Sequence, residues 1–248
     1  MKNFTLYAGE ELHDLQIHDL YLIQNKSGYM FTSDSVLLAN FVKFKQSDFV
    51  IELCAGSGVV SILASSKNKY KDLAALEIQE SLASLAKRNF ALNNIEKAGV
   101  ICDCVQNSVK LFGTEVADVV FCNPPYFKPD LLSSANTEKA IARQEICLSL
   151  PELVEASAKL LKFGGDFYMI YTSERMPEVM VELKRVNLEP KEIQMVQPKK
   201  NKESHVFLVR ATKGGKPGVK MLPTLIMYDN ENKETKELSK IYKRKKKR

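Results

Sequence analysis

The stretch FVIELCAGSGVVSILA, residues 49–64, decides the fold class of this chain. Its apolar beginning at residues 49–51 predicts a buried strand, and the apolar run at 59–64 predicts a helix. The turn between them contains Gly56 and Gly58, which let the backbone come close to a ligand. A strand that turns through glycines into a helix is typical of a doubly wound α/β sheet, in which the helix N-terminus offers unpaired N–H groups.

The alternation of strand and helix continues on the carboxyl side of this stretch. Strands are predicted at residues 73–76, 100–105, 118–122 and 167–171, and helices at about 79–92, 151–161 and 177–186. The helix at 151–161 is expected to end at the glycine pair 164–165. Two closing strands, 193–196 and 206–211, are expected to form a hairpin. This order predicts an α/β fold with a doubly wound, mostly parallel sheet and a C-terminal antiparallel hairpin.

The segment on the amino side of the stretch predicts two smaller features. Residues 15–30 predict a strand or hairpin that includes a turn at 25–28. Asp34 is expected to cap a short helix that runs through Phe41. We therefore divide a single domain, 1–239, into a preamble (1–45), a Rossmann-like core (46–211) and a C-terminal extension (212–239).

The composition of the 248 residues is that of an ordinary globular domain, with 45% hydrophobic and 27% charged residues. No apolar run approaches the length of a membrane-spanning helix, and no secretory segment is recognisable at the start. The five cysteines form no CxxC pair and the three histidines are scattered. These features argue against a disulfide framework, a zinc site or any other metal site, and favour a reducing cytoplasm.

The positive charge of the chain is concentrated at its end. The net charge is +6, and residues 240–248 contain seven basic residues, Lys243 and Arg244 among them, and no acid. The rest of the chain is therefore close to neutral. Residues 240–248 are expected to be a disordered tail, which either is simply solvated or acts as an arm attracted to a phosphate backbone.

A carboxylate at the end of the next strand strengthens the interpretation of the glycine turn as a cofactor site. Glu77 lies nineteen residues after Gly58 and can accept hydrogen bonds from both ribose hydroxyls of an adenosine-containing cofactor. The turn itself contributes Glu52, Cys54, Gly56 and Gly58 as candidate cofactor-binding residues, although many such loops have glycine where Cys54 stands. After the third strand, Asp103 is the candidate for the adenine ring, with Cys104 or Asn107 as alternatives.

The second motif is the tetrapeptide Asn123-Pro124-Pro125-Tyr126, which directly follows the apolar strand at 118–122. Consecutive prolines lack N–H groups and make this turn stiff. Asn123 offers a side-chain acceptor and Pro124 a carbonyl acceptor, and together they can hold the two hydrogens of a planar amino group. Tyr126 offers a stacking face for the base that carries this amino group.

This tetrapeptide resembles the (D/N)PP(Y/F) motif of S-adenosylmethionine-dependent methyltransferases that act on exocyclic amino groups. The segments YMFTSDSVLLA (29–39), AIARQE (140–145), VQPK (196–199) and GVKMLP with LIMY (218–228) resemble the bacterial tRNA1(Val) (adenine37-N6)-methyltransferase family. The resemblance extends from about residue 15 to about residue 230.

The resemblance implies a class I Rossmann-like methyltransferase fold with S-adenosyl-L-methionine as cofactor, S-adenosyl-L-homocysteine as product and no metal. It implies transfer of a methyl group to N6 of adenine 37 in tRNA1(Val), next to the anticodon. Asn123, Pro124 and Tyr126 would then be catalytic, and Asn123 would also contact the cofactor. Thr32 and Asp34 would close over the methionine end of the cofactor, or would only cap a helix.

The resemblance also implies tRNA as partner, with no membrane and no obligatory protein partner. The candidate RNA-binding residues are Phe127, Lys128, Arg143, Lys199, Lys200, Lys243 and Arg244. Arg143 lies in a long connection, 127–150, that is typical of a substrate lid. An ion pair between Arg143 and Glu145 is an equally good interpretation.

Other acceptors share the chemistry of the motif. A glutamine side chain also ends in a planar amide, so protein glutamine N5-methylation is an alternative, as is N6-adenine methylation of rRNA or DNA. The short segment before the first core strand argues against the extra N-terminal domain usual in glutamine methyltransferases. An RNA-binding module without turnover is disfavoured by the intact Gly56, Gly58, Glu77 and Asn123.

Overall fold

A nine-stranded sheet forms the centre of the computed structural model, which describes residues 4–17, 19–28, 30–126 and 147–242. The strands are β1 (Glu10–Asp14), β2 (Tyr21–Asn25), β3 (Phe49–Leu53), β4 (Asp72–Glu77), β5 (Ala98–Cys102), β6 (Ala117–Cys122), β7 (Leu161–Thr172), β8 (Leu188–Lys199), β9 (Val206–Lys213), β10 (Lys220–Met221) and β11 (Leu225–Tyr228). The helices are α1 (Ser33–Phe41), α2 (Val59–Ser65), α3 (Glu80–Leu92), α4 (Ser108–Phe112), α5 (Leu150–Leu160), α6 (Met176–Arg185) and α7 (Lys236–Tyr242). Strands β1 and β2 pair in a separate hairpin.

The order of strands in the large sheet is β5-β4-β3-β6-β7-β9-β8, and β10 and β11 both pair with the outer edge of β8. Strands β3 to β7 are parallel, whereas β9 is antiparallel to both β7 and β8. From β3 the chain builds outward to β4 and β5 on one side, and then returns to β6 on the other. The switch point therefore lies between β3 and β6, where ligands bind in open α/β sheets.

Both faces of the sheet are buried at its central strands β3, β4 and β6, as expected for parallel strands. Successive residues of β3 alternate between the two faces: Val50 belongs to the core cluster that includes residues of α1 and α2, and Ile51 to the cluster that includes residues of α5 and α6. The predicted doubly wound, mostly parallel sheet with a closing antiparallel hairpin is thus confirmed. The hairpin strands β8 and β9 extend well beyond the predicted segments because their register continues from Leu188 opposite Lys213 to Val196 opposite Val206.

The predicted helix end at the glycine pair is wrong. Helix α5 begins at Leu150 behind a capping box of Ser149 and Glu152, and it ends at Leu160, from which the chain passes directly into β7. Gly164, with φ +80°, lies where the register between β6 and β7 shifts, because Ala117 pairs with Leu161 but Val119 pairs with Asp166. The glycine pair therefore accommodates the irregular pairing of β7 with β6 and does not end a helix.

Four further predictions, for a strand end, a helix cap, a hairpin and the tail, differ from the structure. Strand β5 ends at Cys102, and the predicted end at residue 105 instead begins a 3-10 turn, Val105–Asn107. The cap position of α1 is Thr32, so Asp34 lies inside the first turn. Strand β2 pairs with β1, which lies before the predicted 15–30 segment. The turn at 25–28 follows β2 and does not connect the two strands of this hairpin.

The fourth difference concerns the C-terminus. Residues 240–242, which the charge pattern assigns to a disordered tail, complete helix α7.

Among the described residues, no helix has the length and apolar character needed to cross a membrane. The same residues contain no cluster of three or more His, Cys, Asp or Glu side chains that could hold a metal ion.

Candidate active site

An open cavity of about 810 Å³ lies at the carboxyl ends of β3, β4 and β6. The glycine turn after β3 forms one wall, and Glu77 at the end of β4 lies beside it. Asn123 and Pro125, which follow β6, line the cavity on the other side of the switch point. The sheet topology thus brings the two motifs that the sequence singles out to one site.

The glycine turn is held in a conformation that only small residues allow. Gly58 has φ +81°, and a Cβ atom there would lie 2.7 Å from the Phe90 ring of α3. Cys54 and Gly56 also have positive φ, both +56°. The Ala55 N–H donates to the Leu76 carbonyl (3.0 Å), which ties the turn to β4. Cys54 therefore occupies a strained backbone position that many related loops give to glycine.

The carboxylate of Glu77 supports the glycine turn and also lines the cavity. Its Oε2 accepts the Gly56 N–H (2.7 Å) and its Oε1 accepts the Gln79 N–H (2.9 Å). The side chain is buried. Because each carboxylate oxygen has two lone pairs, one group can accept hydrogen bonds from the backbone and from a ligand at the same time.

Glu52, predicted as a cofactor-binding residue, is bonded to helix α2. Its Oε2 accepts the backbone N–H of Ser61 (3.2 Å) and the Ser61 hydroxyl. Complete burial raises the pKa of this carboxyl from 4.5 to about 8. The side chain still lines the cavity, and near neutral pH it is mainly an uncharged acid.

Of the three residues proposed for the adenine ring, Asp103 is the one that lines the cavity. Its Oδ1 accepts Nδ2 of Asn107 (2.8 Å) and the N–H of Cys104 (2.7 Å). The hydrogen bond from Asn107 is the main cause that lowers the pKa of Asp103. Asn107 and Cys104 therefore orient the carboxylate that faces the cavity.

The Asn-Pro-Pro-Tyr motif is connected to the first turn of α1. Nδ2 of Asn123 donates to the Ser35 hydroxyl (3.2 Å), and the Tyr126 hydroxyl donates to Asp34. The Asn123–Ser35 bond orients the amide and leaves Oδ1 as its acceptor. Asp34, predicted to contact the cofactor, thus contacts the Asn-Pro-Pro-Tyr motif. Thr32 is not among the cavity-lining residues, whereas Phe31 and Ser35 are.

Sequence reasoning misses the residues that surround Tyr126 on its other side. The Tyr171 ring of β7 packs edge-on against Tyr126, with ring centroids 5.8 Å apart and planes at 64°. Arg175 donates to the Tyr126 carbonyl (3.3 Å) and to the Tyr171 hydroxyl (2.8 Å). The one signal in the sequence is that both residues lie at the end of a strand parallel to β6, and therefore at the same sheet edge.

Of the candidate RNA-binding residues, Lys199 and Lys200 lie in the part of the chain that the structure describes. Lys199 ends β8 and Lys200 is exposed in the turn that follows it. Because β8 and β7 are both antiparallel to β9, this turn lies at the sheet edge that carries the cavity. Outside the described residues lie Phe127, Lys128, Arg143, Lys243 and Arg244.

Comparison with known protein families and curated proteins gives consistent results. The model of the methyltransferase small domain family matches residues 30–189. A tRNA1(Val) (adenine(37)-N6)-methyltransferase of a Flavobacteriaceae bacterium (strain 3519-10) is 27% identical over 59% of this chain and 61% of its own length. The enzyme of the same name from Shewanella halifaxensis is 28% identical over 66% of both chains. The match thus spans slightly less than two thirds of these relatives.

Solved structures show the fold. A predicted O-methyltransferase from Agrobacterium tumefaciens superposes with a TM-score of 0.68 at 18% identity, over 85% of this chain and 95% of that one. The tRNA m1G37 methyltransferase of M. jannaschii superposes with a TM-score of 0.58 at 15% identity, over 84% of this chain and 58% of that one. The architecture is the class I methyltransferase fold.

Proposed function

This chain belongs to the methyltransferase small domain family, and from that membership we propose that it transfers a methyl group from S-adenosyl-L-methionine to N6 of an adenine in tRNA. Adenine 37 of tRNA1(Val) is the acceptor we propose, following the names of the curated relatives. The observation that carries the proposal is the Asn123–Ser35 hydrogen bond, which orients an amide acceptor at the wall of the cavity.

The cavity is lined by two carboxylates that suit the hydrogen-bond donors of an adenosyl cofactor. Glu77 would accept hydrogen bonds from the ribose hydroxyls, and Asp103 would accept one from the adenine amino group. Gly56 would leave room for the ligand beside the turn, since it lines the cavity and a Cβ there would meet no atom within 4 Å, whereas Gly58 allows the close packing of Phe90. When bound, the cofactor supplies an electrophilic methyl group on a sulfonium sulfur.

The residues after β6 would act on the acceptor. Asn123 Oδ1 and the Pro124 carbonyl would accept the two hydrogens of the adenine amino group, orient it and favour a more pyramidal nitrogen whose lone pair is available. Positioning of this kind accounts for large rate accelerations. Tyr126 would stack on the base, which offsets part of the cost of removing it from the RNA stack.

We propose that the tRNA lies across the sheet edge that carries the cavity. Lys199 and Lys200 are on that edge and would contact phosphates. Phe127, Lys128 and Arg143 belong to the connection between Pro125 and Cys147, which both line the cavity, and we propose this connection as the substrate-binding segment. Lys243 and Arg244 would add charge attraction from the basic tail.

A direct assay tests this function. Unmodified tRNA1(Val) transcript is incubated with the full chain and labelled cofactor, and the nucleosides are then identified by mass spectrometry. We expect N6-methyladenosine, and none with a transcript in which adenine 37 is replaced by guanine. We expect Asn123→Ala to lower kcat by about 100-fold or more, as the loss of one positioned transition-state hydrogen bond does, while cofactor affinity stays unchanged.

The same assay includes the competing acceptors. A glutamine-containing peptide, an rRNA fragment and duplex DNA are offered to the same preparation under the same conditions. Methylation of the peptide glutamine in preference to tRNA would contradict the proposal and assign the chain to protein modification. Methylation of rRNA or DNA in preference to tRNA would support the proposed methyl transfer to an adenine amino group and contradict tRNA as the substrate.

A further inference from the structure

We propose that Arg175 is a positioning residue that holds Tyr126 in its working orientation, an inference that rests on the stacking role assigned to Tyr126 by the proposed function. Arg175 lies in the 3-10 turn Ser173–Arg175, directly after β7. Its guanidinium group lies between the backbone of the catalytic motif and the ring on which Tyr126 packs.

The hydrogen bonds of Arg175 form a fork. Nη1 donates both to the Tyr126 carbonyl (3.3 Å) and to the Tyr171 hydroxyl (2.8 Å), while Nε donates to Glu178 Oε2 (2.9 Å). Nη2 lies 2.8 Å from the same carboxylate oxygen. Only 12% of the arginine side chain is exposed. A partly buried guanidinium with this many partners has little rotational freedom.

The local sequence limits the backbone donors beside the Tyr126 carbonyl. Tyr126 follows Pro124 and Pro125, which lack N–H groups, so the neighbouring backbone offers few donors. The guanidinium instead comes from the next parallel strand, β7, and links the two carboxyl strand ends. The motif backbone is thereby held at its C-terminal residue, and Asn123 holds it at its first.

Tyr126 is thus restrained at three points that come from three elements. Asp34 of α1 binds the hydroxyl, Tyr171 of β7 packs against the ring, and Arg175 binds the carbonyl. Arg175 also controls the second point, because its bond to the Tyr171 hydroxyl and the position of its guanidinium 5.3 Å from that ring orient Tyr171. A ring held in place before the base arrives loses less entropy when the base stacks on it.

The test compares Arg175→Gln, Arg175→Lys and Tyr171→Phe with a matched control, Arg185→Gln. Arg185 ends the helix that follows Arg175, is 45% exposed, and pairs with Glu182 on the surface, away from the motif. We expect Arg175→Gln to lower kcat by about 10- to 100-fold, since a misplacement of about 1 Å has effects of that order. Arg175→Lys should recover part of this activity, and Tyr171→Phe should be less impaired than Arg175→Gln.

The cofactor affinity, measured by calorimetry, should stay at the wild-type value in all four variants. A kcat in Arg175→Gln equal to that of Arg185→Gln would overturn the proposal. A cofactor affinity that falls in step with kcat would also overturn it, because the arginine would then support the whole site.

A second measurement requires no substrate. The chain contains no tryptophan, so Tyr126→Trp introduces a single indole at the position in question. Its fluorescence anisotropy should decay faster when Arg175→Gln is added, and should not change when Arg185→Gln is added. An unchanged decay would refute the positioning role, whereas a failure of tRNA methylation in the wild-type chain with a faster decay would refute only the proposed function.

Discussion

At the scale of single residues, Glu77 combines an observed structural task with the cofactor contact that we propose for it. Glu77 accepts two backbone N–H groups, one from the glycine turn, while it lines the cavity. Removal of the carboxylate would therefore eliminate the proposed ligand hydrogen bonds and also deprive the Gly56 N–H of its acceptor. A residue with two tasks is difficult to replace conservatively.

We expect Glu77→Ala to weaken S-adenosyl-L-methionine binding by about 1–3 kcal/mol, the usual cost of removing a charged hydrogen-bond acceptor. Calorimetric titration of the folded variant measures this difference. Glu80→Ala is the control, because Glu80 is an exposed carboxylate at the start of the next helix. Equal affinities for the two variants would remove Glu77 from the cofactor site.

The hydroxyl of Tyr126 has a hydrogen-bond partner, Asp34, that the proposed stacking of the ring on a base would not require. Because it donates to Asp34, Tyr126→Phe should lower kcat several-fold, and Tyr126→Ala should lower it much further by removing the ring. Asp34→Ala should match Tyr126→Phe, and the double variant should be no worse than either, since two changes within one hydrogen bond are not additive. Steady-state kinetics of the four variants decide this; additive effects would show that the two groups act separately.

At the scale of elements, buried polar bonds join the helices to the strand ends. Glu52 joins the end of β3 to the first turn of α2, and complete burial raises its pKa to about 8. Between pH 4.5 and about pH 8 the folded chain therefore retains a proton that the unfolded chain has released. The contribution of Glu52 to the free energy of unfolding is therefore fully present below the unfolded pKa. It is lost as the pH rises through that window.

We expect Glu52→Gln to remove this pH dependence, because the amide keeps the hydrogen-bonding shape without a titrating proton. Relative to wild type, the variant should become more stable as the pH rises from about 5 to about 8.5, by up to about 4 kcal/mol on the basis of about 1.4 kcal/mol per pKa unit. Urea unfolding at several pH values measures the difference. Glu80→Gln is the control, and a pH-independent difference for Glu52→Gln would contradict the assignment.

At the scale of the whole molecule, the sequence predicts what periodicity and turn chemistry determine. The strand and helix order, the glycine turn, Glu77 and the motif after β6 are local patterns, and the doubly wound sheet follows from them. The bonds of Ser35, Asp34 and Arg175 with the motif join residues far apart in the chain, and no local pattern encodes them. The glycine pair at 164–165 misleads because a helix end and a strand irregularity favour the same residue.

The charge distribution gives a prediction for the whole chain. Helix α7 extends to Tyr242, so a deletion of 243–248 removes six basic residues and leaves the helix intact. The deletion should raise KM for tRNA at moderate salt, leave kcat unchanged, and reduce the salt slope by roughly 0.7–0.9 for each phosphate that the tail neutralises. Kinetics at several salt concentrations test this. An unchanged KM and slope would place the RNA-binding surface on the folded body alone.

The two short strands beside β8 have a consequence for solubility. β8 is twelve residues long, and β10 and β11 cover its outer edge opposite Glu192–Ile193 and Val196–Lys199. A long uncovered edge is a template for pairing with another molecule. A chain that ends after Lys213 should therefore retain its sheet order yet self-associate in light scattering, whereas deletion of 243–248 should leave it monodisperse. We therefore expect the C-terminal extension to protect the edge of β8 from pairing with another molecule.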